Sequence, residues 1–187
     1  MDDSKLERIK GDIQYEVDMI RFTLDEIQRI KEANASEEDN TRKHYYNSLE
    51  NCISDAFLIY IRCLRDFFCG SRDSRKHNDA HAEDYVKEPE KWHANRPNMD
   101  YIEDHERKNK LDKLLAHLSY SRAEYAAKRD TQWDLRKMEK EILESWKFFL
   151  QCLPDERRKW FSDPGVMPLR PPIVSDTSSA TTYKTEL

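Results

Sequence analysis

Phe57-Leu58-Ile59-Tyr60-Ile61-Arg62-Cys63-Leu64-Arg65-Asp66-Phe67-Phe68 is the stretch on which the fold turns. It sits inside a longer pattern from about Thr41 to Cys69. There Tyr45, Leu49, Cys52, Ile53, Ala56, Phe57, Tyr60, Ile61, Leu64, Phe67 and Phe68 recur at helical spacing. Leu58 and Ile59 add apolar surface on the remaining faces, so the helix is apolar nearly all round between Ala56 and Leu64. Such a helix belongs at the centre of a bundle. Gly70 supplies the stop expected after it.

Working outward, Leu6, Ile9, Ile13, Val17, Ile20, Leu24 and Ile27 mark a helix from about Ser4 to Ala33. The segment 34–40 ends that pattern as a polar loop. Leu111, Leu114, Leu115 and Leu118 mark a third helix over about 101–128. Leu135, Met138, Ile142, Trp146, Phe149, Leu150 and Leu153 mark a fourth, with Thr131 as its expected cap and Pro154 as its end. The expected fold is therefore all-α: a four-helix bundle with a long loop over 71–103 between helices two and three. Tyr85 and Trp92 would pin that loop to the surface.

Residues 1–153 make the bundle domain in this reading, and 154–187 form a Pro-, Ser- and Thr-rich tail, partly disordered. Trp160 and Phe161 are the tail residues able to dock back on the bundle.

Composition agrees with long solvated helices. Of 187 residues, 37% are charged and only 3 are Gly. The net charge of −5 gives no global attraction to nucleic acid. No apolar run is long enough for a transmembrane span, and the acidic start lacks a secretory signal. The closing Lys184-Thr185-Glu186-Leu187 only loosely matches a retrieval signal. Cys52, Cys63, Cys69 and Cys152 contain no CxxC pair and read as reduced, buried thiols of a cytoplasmic protein.

Polar residues near apolar faces are the functional clues. Arg62 can pair with Asp66 at i, i+4. Arg122 projects along the leucine stripe of helix three, where an unpaired charge is costly. His117 lies at the edge of that stripe, and Asp84 is the nearest unassigned carboxylate. Arg62, Asp66, Asp84, His117 and Arg122 are therefore expected to cluster. In the loop, His77, His81 and Asp84 would share a helical face. Flanking Arg72, Arg75 and Lys76 oppose a cation there, so neither metal nor cofactor is expected.

The stretch quoted first resembles a motif F-L-x-x-x-R-x-L-x-D-F-F of a family of uncharacterised bacterial helical proteins. Asn78–Tyr85 is similar to that family's D-D-x-x-A-x-D-F, and Lys113–Arg122 to its K-x-x-A-H-L-[ST]-Y-x-R. Trp92 matches a tryptophan between them, and the likeness spans about residues 50–125. It points to the same five polar positions and implies no chemistry.

More distantly, the architecture resembles the HEPN superfamily. That likeness implies a metal-independent ribonuclease acting as a dimer, with Arg and His spaced R-x(4–6)-H. Here such pairs, Arg72 with His77 and Arg75 with His81, fall in the loop. Two expectations follow. The first is a non-enzymatic binding or structural module with a protein partner or self-association. The alternative is a HEPN-like ribonuclease, under which alone RNA is a partner.

Overall fold

The computed structural model describes residues 3–70, 79–116 and 133–164. All the regular structure in these residues is helical: α1 (Asp3–Ser36), α2 (Asn40–Cys69), a 3-10 turn (Ala82–Asp84), α3 (Pro89–Asn95), α4 (His105–Ala116), α5 (Leu135–Cys152) and α6 (Asp155–Arg158). No helix among them is long and apolar enough to cross a membrane.

α1 and α2 form an antiparallel hairpin, as the pairing of Asn34 with Asn47 and of Tyr15 with Tyr60 shows. Leu6, Ile13, Val17, Ile20, Leu24 and Ile27 bury the α1 stripe, each contributing roughly 1.5–3 kcal/mol. The turn between the helices is set by Asp39. Its carboxylate accepts from the Thr41 and Arg42 N–H groups that the start of α2 leaves unpaired. Those two bonds hold the Asp39 carboxyl below its ordinary range.

α2 is central but not enclosed on every side. Phe57, Leu58, Ile61, Leu64, Phe67 and Phe68 are buried, whereas Ile59 is 47% exposed. Cys52 and Cys63 are exposed rather than buried, because they share the outward face with Ile59. Gly70 ends α2 as expected, but with an ordinary negative φ of −64°. What the position requires is space: a Cβ there would lie 1.9 Å from His81 Nδ1.

The chain from 79 to 103 is not a surface excursion. It carries the 3-10 turn and α3, and it buries Ala82, Tyr85, Val86, Trp92, Met99 and Ile102. Tyr85 and Trp92 are core residues because their rings join an aromatic cluster centred on Phe149 of α5. Phe149 meets Phe67 at 5.4 Å, Tyr85 at 6.1 Å and Phe161 at 5.5 Å between ring centroids. Each such edge-on pair adds about 0.5–1.5 kcal/mol beyond area burial. The Tyr85 hydroxyl donates to the Leu6 carbonyl at 3.0 Å, and burial pushes its phenol up.

α5 is capped by Asp134, whose carboxylate accepts from the Lys137 N–H, and the helix begins at Leu135. Past Leu153 the chain continues into α6, and Phe161 is buried against Trp146 at 5.4 Å. Arg157 of α6 donates to the carbonyls of Asp84 and Tyr85, tying the end of the fold to the 3-10 turn. His117, Arg122, Leu118, Thr131, His77, the R-x(4–6)-H arginines and residues 165–187 lie outside the described residues.

Candidate functional site

A polar cavity of about 320 Å³ opens where α2 ends, lined by Arg65, Asp66, Cys69, Gly70, Asp79, His81, Glu103 and Lys108. Arg65 is its deepest charge, only 3% exposed. It falls on the Leu58–Ile61–Arg65–Phe68 side of α2, so the helix itself carries its stem into the core. Its Nη2 donates to Asp66 Oδ1 at 2.6 Å and to Asp112 Oδ1 at 2.9 Å, and its Nε to Asp66 Oδ1 at 3.0 Å. Burial opposes its charge, but hydrogen bonds to Asp66 and Asp112 prevail and hold the guanidinium above its ordinary value. Asp112 is shared: Arg62 Nε lies 3.2 Å from the same oxygen.

Glu103 stands on the other side of the cavity. Its Oε2 lies 3.2 Å from Lys108 Nζ, and its Oε1 lies 3.6 Å from Arg65 Nε. The turn that presents Glu103 is held from α5. Both oxygens of the buried Glu141 carboxylate are engaged, accepting from the Tyr101 and Ile102 N–H groups at 2.9 and 3.0 Å. Cys69 receives Arg96 Nη1 at 2.8 Å, and burial pushes its thiol up.

His81 is buried beneath Gly70. Its ring Nδ1 lies 3.1 Å from the Asp66 carbonyl oxygen, which also accepts from the Gly70 N–H at 2.9 Å. A carbonyl oxygen only accepts, so this contact assigns the proton to Nδ1 and leaves Nε2 as an acceptor in the neutral ring. The backbone N–H of His81 donates to Asp84 Oδ2 at 3.1 Å, which closes the 3-10 turn.

Among the described residues, the network leaves three buried atoms without a hydrogen-bond partner: Arg65 Nη1, His81 Nε2 and Glu103 Oε1. All three belong to residues lining the same cavity. Buried polar groups are nearly always paired, and each orphan costs about 1–3 kcal/mol. Among the described residues, no group of three or more His, Cys, Asp or Glu side chains is arranged to hold a metal ion.

Of the five polar residues picked out in the sequence, three are described. Arg62 turns to Asp112 and Asp66 turns to Arg65, so the expected Arg62–Asp66 pair is not formed. The reason is geometric: Asp112 of α4 offers one carboxylate to both arginines of α2. Asp66 and Asp84 are linked through His81, one by its backbone carbonyl and one by its side chain. Arg65, Asp112, Glu103 and Glu141 went unforeseen. Only Arg65 carried a local signal, a charge in register with Ile61 and Phe68.

A second hollow, about 250 Å³, lies between α1 and α2 beside Asp12, Glu16 and Cys63. Burial raises the Glu16 carboxyl, opposed by a hydrogen bond with Cys63. Although Cys63 lies on the outward face, loss of water around its sulfur in this hollow, together with that carboxylate, pushes the thiol up to about 11. A thiol so raised is a poor nucleophile.

Compared with known proteins, the chain matches no family model, no curated protein and no solved structure.

Proposed function

We propose that this chain is a non-enzymatic helical binding module that holds a small polar ligand in the cavity beside Arg65. The observation that carries the reading is the set of three unpartnered polar atoms around one cavity. A network meant only to brace the helices would be expected to close on itself. This one is closed at Asp112 and leaves three atoms of cavity-lining residues unpaired. The four-helix bundle and the cytoplasmic setting belong to the same proposal, and the four free thiols fit a reducing compartment.

The ribonuclease alternative is less well supported. Arg65 is already held by Asp66 and Asp112, with Glu103 nearby, and Asp79 adds another carboxylate at the rim. Carboxylates so placed repel a phosphodiester at this cavity, while Arg72, Arg75 and His77, on which the alternative rests, lie outside the described residues.

The test is a screen of the full chain against a chemically varied set of small fragments, read by ¹H–¹⁵N spectra and by melting temperature. We expect some fragments to raise the melting temperature and to shift Arg65 and His81 side-chain resonances. If no fragment shifts them, the binding reading falls. Cleavage of RNA by the purified chain, with or without chelator, would move the case to the alternative.

A further inference from the structure

Among the described residues, the large apolar side chains left exposed are Tyr15, Tyr45 and Ile59, and all three lie on the α1–α2 hairpin. Ile59 is the aliphatic one, 47% exposed, between the exposed Cys52 and Cys63 on the outward face of α2. Cys52, Ile59 and Cys63 stand at i, i+7 and i+11, one continuous seam along the helix. Burying such a seam against a partner helix is favourable, and the charges beside it specify the partner.

Asp55 and Arg62 lie four residues before and three residues after Ile59. At about 100° per residue they project within about 20° of each other, on the flank of Ile59 away from Cys52 and Cys63. Asp55 is exposed and makes no ion pair among the described residues. The Arg62 side chain is 36% exposed. Its Nε lies against Asp112, and its guanidinium has further N–H donors on the Nη atoms. When a second α2 is laid antiparallel with the two Ile59 side chains facing, Asp55 of each helix meets Arg62 of the other, because both lie nearly the same distance from Ile59. A parallel second helix would set Asp55 against Asp55 and Arg62 against Arg62. The face therefore complements itself in the antiparallel sense, as a two-fold contact requires.

We infer that the outward face of α2 docks on the same face of a second copy of this chain, antiparallel, about a two-fold axis at Ile59. Ile59 is the apolar centre of the contact, and the two reciprocal Asp55–Arg62 pairs set its direction. None of Cys52, Asp55, Ile59 and Arg62 lines the cavity beside Arg65, so self-association and ligand binding stand or fall separately.

The experiment is sedimentation equilibrium of the full chain under reducing conditions, from micromolar to millimolar concentration. We expect a reversible monomer–dimer equilibrium. Ile59→Asp should weaken the dimer by about tenfold or more, since it places two carboxylates at the centre of the contact. Asp55→Arg and Arg62→Glu should each weaken it by about threefold to tenfold, because each turns both reciprocal contacts repulsive. Mixed in equal amounts, these two variants should pair with each other at least as tightly as the unsubstituted chain pairs with itself, because both contacts become attractive again. Circular dichroism checks that each variant keeps its helices. Should Arg62→Glu lose them, Asp55→Arg and Ile59→Asp, both at exposed positions, decide through the dimer constant. A dimer indifferent to Ile59→Asp or to Asp55→Arg would overturn the inference, as would two folded charge variants that fail to recover on mixing. A chain monomeric throughout that range would also overturn it, and would leave the face to a partner other than this chain.

Discussion

The two ends of the short path from Phe67 and Phe68 to Arg65 are built on opposite principles. On one side, Phe67, Phe68, Tyr85, Trp92, Phe149 and Phe161 form a dry cluster in which every ring has ring neighbours. On the other, Arg65, Asp66, Asp112, Glu103 and His81 form a charged network that ends in unpartnered atoms. The aromatic side is packed ring against ring, and its one unpaired polar atom is the buried Trp92 Nε1. The charged side is complete only toward α4. The same helix therefore supplies a packed aromatic core from one set of positions and a charged network with unpaired atoms from the next.

The sharpest way to break that contrast is to open the aromatic side. Phe149→Ala removes the ring shared by Phe67, Phe68, Tyr85, Trp92, Trp146 and Phe161. The expected loss is about 3–5 kcal/mol, as for other buried phenylalanines, read as a lower urea midpoint with an unchanged slope. A loss under about 1 kcal/mol would mean that the cluster is loosely packed.

Arg65→Met tests the charged side and should cost less, about 1–3 kcal/mol. The stem keeps its place in the core, and the carboxylates it abandons recover water. The side chain of Asp66 is 56% exposed and that of Asp112 35%. A cost equal to that of Phe149→Ala would show that the network is as structural as the aromatic cluster.

The contrast also explains what could be read from the chain alone. Leu6, Ile13, Val17 and Ile20 announce α1, and Met138, Ile142, Trp146 and Phe149 announce α5, because helical periodicity is a local property. Tyr85 and Trp92 were legible as anchors, but not as core, since what they anchor to is α5, far along the chain. The charged side was mostly hidden for the same reason. Asp112 lies 47 residues from Arg65, and no spacing rule connects them. The i, i+4 rule pointed to Arg62 and Asp66, whereas Arg65, in register with the apolar stripe, is the arginine that is buried. Gly70 was legible as a helix stop, yet the space it keeps for the His81 ring depends on a residue beyond the turn.

Gly70→Ala probes the hinge between the two regions. The new methyl would have to push aside both His81 Nδ1 and the Asp66 carbonyl, so the ring must leave its acceptor. The expected cost is about 1–2 kcal/mol, with a shift of the His81 ring nitrogens and no change among the aromatic resonances of Trp146 and Phe161. Perturbation of those rings instead would show that the two regions are coupled.

The smallest effect is expected at Glu16, outside both regions, and its sign is opposite to the others. Burial raises its carboxyl above the unfolded value, the Cys63 hydrogen bond opposing. The folded state therefore binds the Glu16 proton more tightly than the unfolded chain does. Its contribution is fully present at low pH, declines as pH rises from the unfolded value through the folded one, and is flat above. Glu16→Gln removes that decline. The variant should be slightly more stable than the natural chain at about pH 7 and should lose that advantage at about pH 4, where the natural carboxyl is largely protonated. Urea denaturation of both proteins at the two pH values measures the difference. An advantage that is the same at both would place its origin in packing against Cys63 rather than in the charge.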